Sequence, residues 1–536
     1  MAENRFYVTT PIYYVNDRPH IGHVYTTTVA DVVARYHRLR GDETFFLTGT
    51  DEHALKVVDA ARERNLTSQQ WADRNAEAFQ QTFSRLEMTH DDFIRTSQQR
   101  HVDRVKRYVS QLMDSGDVYL GEYEGWYDAG QEEYVPENKA KENDYKSPFG
   151  GKPLVRKKEK NYFFRLSAYQ DKLLELLEKG DVFDVQPLAR KNEVIARIRE
   201  GLNDVPMSRR TRGDGDSSDW GIRVPGDDNH TIYVWIDALI NYLSTVDTDD
   251  RRHFWPCDVH LIAKDILWFH AVIWPAMLMA LSKQPGYDWV KLPRLVYAHS
   301  FWIAEGQKMS KSLGNFIDLE KIDSYVETFG LDSLRYFLAA HGPLGTTDSD
   351  FAENKFIDTY NADLANTIGN SASRVANMIG RYFGGKLPEP GESPEGTQRY
   401  DHVAERNVGA YNMAIKTLQL DKACDAALEL VREVDQYIEQ TQPFKLAKQE
   451  GKMGEVGTIL YNCAESLRIA SILLWPILPE RMETYWKRIG CGHYAEALQE
   501  HRPGEFDAWT KWGQLRPGTP IEKGDPLFPR YQPEKV

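Results

Sequence analysis

The chain has 536 residues, of which 41% are apolar and 27% charged. At roughly 150 residues per domain this suits three or four domains with sizeable cores, and it excludes collagen-like, low-complexity and disordered chains. Sixty-six basic against 80 acidic residues leave a net charge of −14, which disfavours a generally basic nucleic-acid-coating protein, so any nucleic-acid contact must use local patches. Four scattered cysteines, Cys257, Cys424, Cys463 and Cys491, form no C-x-x-C pair. They support neither a zinc knuckle nor a disulfide framework, and they point to a reducing compartment.

Phe6 to Val15 is rich in β-branched and aromatic residues and reads as a strand whose end Pro11 makes irregular. After the loop Asn16–Pro19, the spacing of Tyr25, Val29, Val32, Tyr36 and Leu39 predicts a helix stopped by Gly41, and Thr44–Leu47 reads as a second strand. Strand, helix and strand with a crossover form a βαβ unit, which implies a parallel sheet. With strand character already at Phe6, no room remains for a signal or transit peptide.

From about 116 to 224, glycine, charge and aromatics mix without period, as in GEYEGWYDAGQEEYVPENK, and the stretch reads as an insertion. Within it, 152–160 holds five basic residues and one acid, and 190–212 holds seven basic and three acidic residues. Each patch also suits an ordinary solvated surface. The sheet pattern resumes at Thr231–Val234 and at His260–Ala263. Ala271–Leu281, the longest run free of polar side chains, is far short of the roughly 20 residues a membrane span takes. From about 356 the pattern becomes helical, with a stripe of Leu364, Ile368, Ala372, Val375 and Ile379 that predicts a bundle. The expected segments are 1–115 and 225–295 for the two halves of the sheet domain, 116–224 for the insertion, 296–355 for a connecting segment, 356–515 for the bundle and 516–536 for a Pro- and Gly-rich tail.

Pro19-His20-Ile21-Gly22-His23 falls where strand gives way to helix. Free backbone N–H groups and the positive end of the helix dipole make such a junction a seat for phosphate. His20 and His23 share a helical face and can donate to phosphate oxygens, while Gly22 lets a nucleotide approach the backbone. Alone, the pair also suits surface or structural histidines. Far downstream, Lys308-Met309-Ser310-Lys311-Ser312, followed by Leu313-Gly314-Asn315, places two lysines in a small polar loop able to neutralise a triphosphate.

HIGH in the first βα turn with KMSKS after the second half of the sheet is the paired motif of class I aminoacyl-tRNA synthetases. The chain resembles the methionyl-tRNA synthetases along essentially its whole length, through TTPIYYVN (9–16), HIGH (20–23), TGTDEH (48–53), YVWIDAL (233–239), AKDILWFHAVIWPAML (263–278), KMSKSLGN (308–315) and NADLANTIGNSASR (361–374). The resemblance implies an α/β fold: a Rossmann-like parallel-sheet catalytic domain with a connective insertion, a stem-contact segment carrying KMSKS, and an all-α anticodon-binding helical bundle. It implies ATP-dependent activation of L-methionine followed by transfer to the 3′ end of tRNA(Met).

On this resemblance, His20, Gly22, His23, Lys264, Asp265, Lys308 and Lys311 bind ATP, with His20, His23, Lys308 and Lys311 stabilising the transferring phosphates and Mg²⁺ accompanying the leaving group. Ile12, Tyr14, Trp235, Ala238, Tyr242 and His270 line the methionine side-chain pocket, where aromatic rings favour a thioether. Trp235, Ala238, Leu239 and Tyr242 also share one helical face, a spacing that equally suits a core stripe. Asp51 holds the substrate ammonium, with a helix N-cap as its alternative reading. Asn370 and Arg374 read anticodon bases, with Phe444 as a stacking platform where relatives carry Trp.

The sequence departs from the family's pattern in two ways. Ala263 stands where relatives have glycine before the Lys-Asp pair. Asp128-Ala129-Gly130-Gln131 occupies the stretch where zinc-bearing relatives place Cys-x-x-Cys, so no zinc is expected and packing around Trp126, Tyr127 and Tyr134 must hold the insertion. A monomer in the cytoplasm, with no membrane partner, is the expected state. Two alternatives differ in class: a relative that activates an amino acid without charging tRNA, and a non-catalytic tRNA-binding protein.

Overall fold

The computed structural model describes residues 4–128, 133–135, 137–147, 151–211, 220–309, 314–392, 394, 396–500 and 506–532. Its centre is a seven-stranded parallel sheet: β1 (Arg5–Thr9), β2 (Tyr13–Tyr14), β3 (Glu43–Asp51), β4 (Asp92–Arg95), β5 (Asp184–Gln186), β6 (Val259–Ala263) and β7 (Leu295–His299). β1 pairs with β3 from Arg5↔Glu43 to Thr9↔Leu47 and with β6 through Val8↔Val259. β6 pairs with β7, and β7 with β5. Thr50 of β3 faces both Tyr13 and Arg95, so β2 and β4 lie on opposite edges of that strand. From β1 the sheet therefore extends through β3 to β4 on one side and through β6 and β7 to the far edge strand β5 on the other. The strand order reverses between β1 and β6, and in such sheets ligands bind at the carboxyl ends beside that switch.

The strand expected over Phe6–Val15 splits into β1 and β2, with Pro11 between them lacking the N–H a continuous ladder needs. Helix α1 (Ile21–Arg40) buries the predicted stripe of Tyr25, Val29, Val32, Tyr36 and Leu39. It ends at Gly41, whose φ of 84° is the left-handed conformation that closes a helix without Cβ strain.

Three expectations are corrected. Asp184–Gln186, read as part of the insertion, is an edge strand of the catalytic sheet. Three residues are too few to reveal a period, and the crossover partner that makes them a strand lies more than 100 residues downstream. Thr231–Val234 does not belong to the parallel sheet: Asp227–Ile232 is the middle strand of a three-stranded antiparallel sheet, and Val234 already begins a helix. Their β-branched composition suited a strand but carried no information on its partner. The segment 516–536 is no free tail over its described part. Leu527 and Phe528 are buried, Thr519 accepts from the Leu387 N–H at 2.9 Å, and the Tyr360 hydroxyl donates to the Pro529 carbonyl at 2.7 Å.

The insertion is built on a long antiparallel hairpin, Val118–Asp128 with Val155–Phe164. The segment 296–355 carries a small sheet of Trp302–Ala304, Gln307–Lys308 and Ser349–Phe351. Beyond it, Glu353–Phe383 runs as one helical stretch with a π-helical middle, Tyr360–Gly369. It packs with Leu420–Thr441 and Met453–Leu474, on which Tyr400–Lys416 packs in turn, and Leu364, Ile368, Val375 and Ile379 are buried as the stripe predicts. Among the described residues no helix is long and apolar enough to cross a membrane, and no three His, Cys, Asp or Glu side chains are grouped to hold a metal ion.

Candidate active site

The candidate residues gather at the carboxyl ends of the parallel strands. His20 caps α1 in an extended conformation, and its Nδ1 accepts from the Gly22 N–H at 3.1 Å. The His20 N–H in turn donates to Nδ1 of His23 at 3.2 Å. Both Nδ1 atoms are therefore acceptors, so each neutral ring carries its proton on Nε2 and offers that N–H as a donor. The two rings lie 3.8 Å apart. Enclosure, with the His20 ring beside it, holds the His23 imidazole well below the usual imidazolium range. Gly22 has a local reason to be glycine, since a Cβ there would lie 3.0 Å from His20 Cε1 and crowd the cap.

The segment that follows the second motif meets the first. The Ile21 N–H, one of the orphan donors at the start of α1, donates to the Ile317 carbonyl at 3.1 Å. Phe316 sets its ring edge-on to His20 at 5.2 Å. The Asn315 amide bridges the Ala304 and Lys308 carbonyls, each at 3.2 Å, which ties together the base of the KMSKS loop. Lys308 is exposed on the short strand Gln307–Lys308. Lys311 lies outside the described residues.

The candidate amino-acid pocket is built from β2, β3, helix Val234–Ser244 and the turn after β6. Tyr14 and Asp51 are paired in register, which puts the ring and the carboxylate side by side at the ends of β2 and β3. Asp51 is buried and is not a helix cap, because the next helix starts at Leu55 with Ala54 in the cap position. Trp235 stands edge-on to Tyr14 at 6.2 Å and stacks on Phe269 at 3.9 Å. Ala238 and Tyr242 are buried further along the same helix face, while Ile12 is partly covered. His270 donates from Nδ1 to the Ile266 carbonyl at 3.0 Å, so its Nε2 accepts from the Tyr242 hydroxyl at 2.8 Å. Burial pushes the His270 imidazole down to about 4 and the Tyr242 phenol far up, which leaves both groups neutral.

Lys264 and Asp265 follow β6 directly. Lys264 Nζ reaches Asp348 Oδ1 at 2.6 Å and so joins the end of β6 to the segment 296–355, while Asp265 stays open to solvent. A cavity of about 890 Å³ opens beside Trp235 and Phe269, between helix Val234–Ser244 and the insertion, with Lys157, Arg209 and Trp268 also on its walls. Aromatic faces with cations are the surfaces on which bases stack and phosphates rest.

In the bundle, Asn370 is exposed and Arg374 is held by Glu439 at 2.6 Å and Asp435 at 3.6 Å. Phe444 lies half-buried on the four-residue helix Pro443–Leu446. Sequence reasoning missed the layer behind the pocket. Asp237 accepts from both His53 and His101, and buried Glu52 is gripped by Arg95. The TGTDEH and YVWIDAL stretches contain three of these residues, but nothing in their spacing pairs them.

The sequence profile described as tRNA synthetases class I (M) matches residues 6–143 and 141–376. A methionine–tRNA ligase of Bacillus subtilis is 39% identical over 99% of this chain and 79% of its own length. One from Streptomyces coelicolor is 40% identical over 98% of this chain and 97% of its own. The Mycobacterium tuberculosis methionyl-tRNA synthetase in complex with methionyl-adenylate superposes with a TM-score of 0.87 at 33% identity, covering 98% of this chain and 100% of that one. The same bacterium's apo enzyme gives 0.82 at 31% identity. With the HIGH cap, the KMSKS base and an aromatic pocket around one sheet switch point, the chain belongs to the methionyl-tRNA synthetase family of class I tRNA synthetases.

Proposed function

We propose a division of labour among these residues in the methionine–tRNA ligase reaction that family membership assigns to the chain. Methionine's carboxylate attacks the α-phosphorus of ATP, the bond to the bridging oxygen of the pyrophosphate breaks, and methionyl-adenylate forms. The attacking carboxylate is already ionised, so this step needs positioning and charge stabilisation and no general base. The Nε2–H groups of His20 and His23 donate to the phosphate oxygens, their tautomers fixed by the cap. Gly22 keeps the α1 terminus open to the nucleotide, Lys308 and Lys311 draw off the charge of the departing pyrophosphate, and Mg²⁺ enters as the counter-ion of ATP. Asp265, with Lys264 beside it, receives the ribose hydroxyls.

Asp51 takes the substrate ammonium, and Ile12, Tyr14, Trp235, Ala238, Tyr242 and His270 enclose the thioether. A neutral His270 suits an uncharged side chain. In the second step the ribose hydroxyl at the tRNA 3′ end attacks the activated carbonyl, AMP leaves, and the hydroxyl proton passes out with it. Asn370, Arg374 and Phe444 read the anticodon, Arg374 exchanging its carboxylate partners for base edges. The chain works as a zinc-free, cytoplasmic monomer.

The observation that carries this reading is the contact between HIGH and the segment just after KMSKS, where the Ile317 carbonyl accepts from the Ile21 N–H and Phe316 sets its ring edge-on to His20. Methionine-dependent ATP–pyrophosphate exchange without tRNA, followed by charging of tRNA bearing a CAU anticodon, tests it. Lys311→Ala is expected to lower the exchange rate about 100-fold or more while leaving the methionine KM within a few-fold. Normal exchange by that variant would remove Lys311 from its role.

A further inference from the structure

Behind the amino-acid pocket lies a closed chain of polar groups that the reaction does not use directly. Asp237 is 1% exposed and sits on helix Val234–Ser244, two residues after Trp235 and next to Ala238. One carboxylate oxygen is 2.6 Å from His53 Nδ1 and the other is 2.7 Å from His101 Nε2. His101, fully buried, closes the chain with its other nitrogen 2.8 Å from the Ser244 hydroxyl, at the far end of the same helix. A buried carboxylate with both oxygens matched is costly to assemble and costly to disturb. Burial works against its charge, yet the two imidazoles hold the Asp237 carboxyl below its ordinary value.

Its position gives the chain a purpose. His53 follows Asp51 by two residues, so the Asp237–His53 bond joins the strand end that carries the ammonium anchor to the helix that carries the side-chain pocket. The joint is held from both sides. Arg95 fixes Glu52 at 2.7 Å, and the Trp220 indole donates to the Glu52 carbonyl at 2.5 Å. On the helix side, His101 ties Asp237 and Ser244 to the helix Gln99–Asp114. The distance between the two ends of an amino-acid site decides which side-chain length fits while the carboxylate is still aimed at ATP.

We infer that Asp237, clamped by His53 and His101, is a positioning residue that sets the span between ammonium anchor and thioether pocket and so contributes to selection of methionine by length. The inference rests on the reading of Asp51 and helix Val234–Ser244 as the methionine site. The test is steady-state ATP–pyrophosphate exchange by the full chain with methionine and with homocysteine, for wild type, Asp237→Asn and His53→Gln. Both variants are expected to raise the methionine KM about 10–100-fold, to leave the ATP KM within twofold, and to lower the preference for methionine over homocysteine about tenfold. Their double variant is expected to be no worse than Asp237→Asn alone, because both substitutions break one bond.

An unchanged methionine KM in both variants, or equal increases for methionine and ATP, would overturn the inference. His53→Gln, nearer the pocket surface, carries the test if Asp237→Asn does not fold. A wild-type chain unable to exchange with methionine would instead overturn the reading of the site on which the inference stands.

Discussion

At the residue scale the active end of the sheet is a set of imidazoles kept neutral by their surroundings. His270 and His299 are both pushed down to about 4 by burial. His299 donates to the Ser300 carbonyl at 2.7 Å and lies 2.8 Å from Thr26 on the first turns of α1. The unfolded chain takes up protons near the ordinary imidazole value of about 6.5, whereas the folded chain resists until about 4, so between those values the unfolded state binds more protons. Stability from this source is therefore fully present above about pH 6.5 and is lost as pH falls towards 4, with each group contributing about 3 kcal/mol. Denaturant unfolding at a series of pH values should show His299→Gln with a shallower decline over that interval than wild type. An identical slope would mean that His299 is not a source of the acid sensitivity.

At the element scale the insertion shows how an excursion from the sheet is held without thiol ligands. Val135, Ala140 and Leu154 form a small core of their own, covered by Trp126 and Tyr145 with ring centroids 4.6 Å apart. The Trp126 indole donates to Glu137 at 2.7 Å. Trp126, one of the three residues around which packing was expected, covers this core from outside. Tyr127 faces Lys157 at 4.9 Å, and of Tyr134 only the backbone pairing with Tyr127 is described. Residues 129–131 of the zinc-knuckle position lie outside the described residues. A core of apolar and aromatic packing does not respond to metal removal. Dialysis of purified protein against a strong chelator, followed by removal of the chelator and assay with Mg²⁺ restored, is expected to leave both Tm and acceptor charging unchanged, and metal analysis to find no stoichiometric zinc. A fall of several degrees in Tm on chelation would reassign the insertion as a metal-stabilised element.

At the scale of the whole molecule, one buried charge network joins α1, the helix Leu331–His341 and backbone carbonyls at the end of the last long bundle helix. Asp31 on α1 takes the Arg35 guanidinium at 2.7 Å and the Arg335 guanidinium, from the helix Leu331–His341, also at 2.7 Å. Arg335 further donates to the Pro476 and Ile477 carbonyls, which follow the last long helix of the bundle. Burial opposes the Asp31 charge, but the two arginines hold that carboxyl far below its ordinary value. Removing one partner of such a network strands the others, at a cost of about 3–5 kcal/mol. Arg335→Ala is expected to lower stability by that amount and to split a single calorimetric unfolding transition into separate bundle and catalytic-domain transitions. One undivided transition at unchanged Tm would show that the domains are joined elsewhere.

Much of this protein was legible in its sequence because the signals were local. The α1 stripe, its Gly41 stop and the apolar face from Leu364 to Ile379 each depend on residues within a few turns of one another, where spacing reports directly on which face is buried. HIGH and KMSKS were legible as a pair, through their resemblance to the paired motif of class I aminoacyl-tRNA synthetases; taken alone, either cluster also suits an ordinary surface. What only the tertiary structure decided was partnership across distance. The edge strand Asp184–Gln186, the antiparallel neighbours of Thr231, the packed C-terminal segment, and the bonds from Asp237 to His53 and His101 all join residues far apart in the chain. Hydrophobic spacing records that a side chain is covered, and a buried polar group records that it needs a partner; neither states which remote segment supplies the cover or the partner, because that choice is made only when the whole chain closes around its cores.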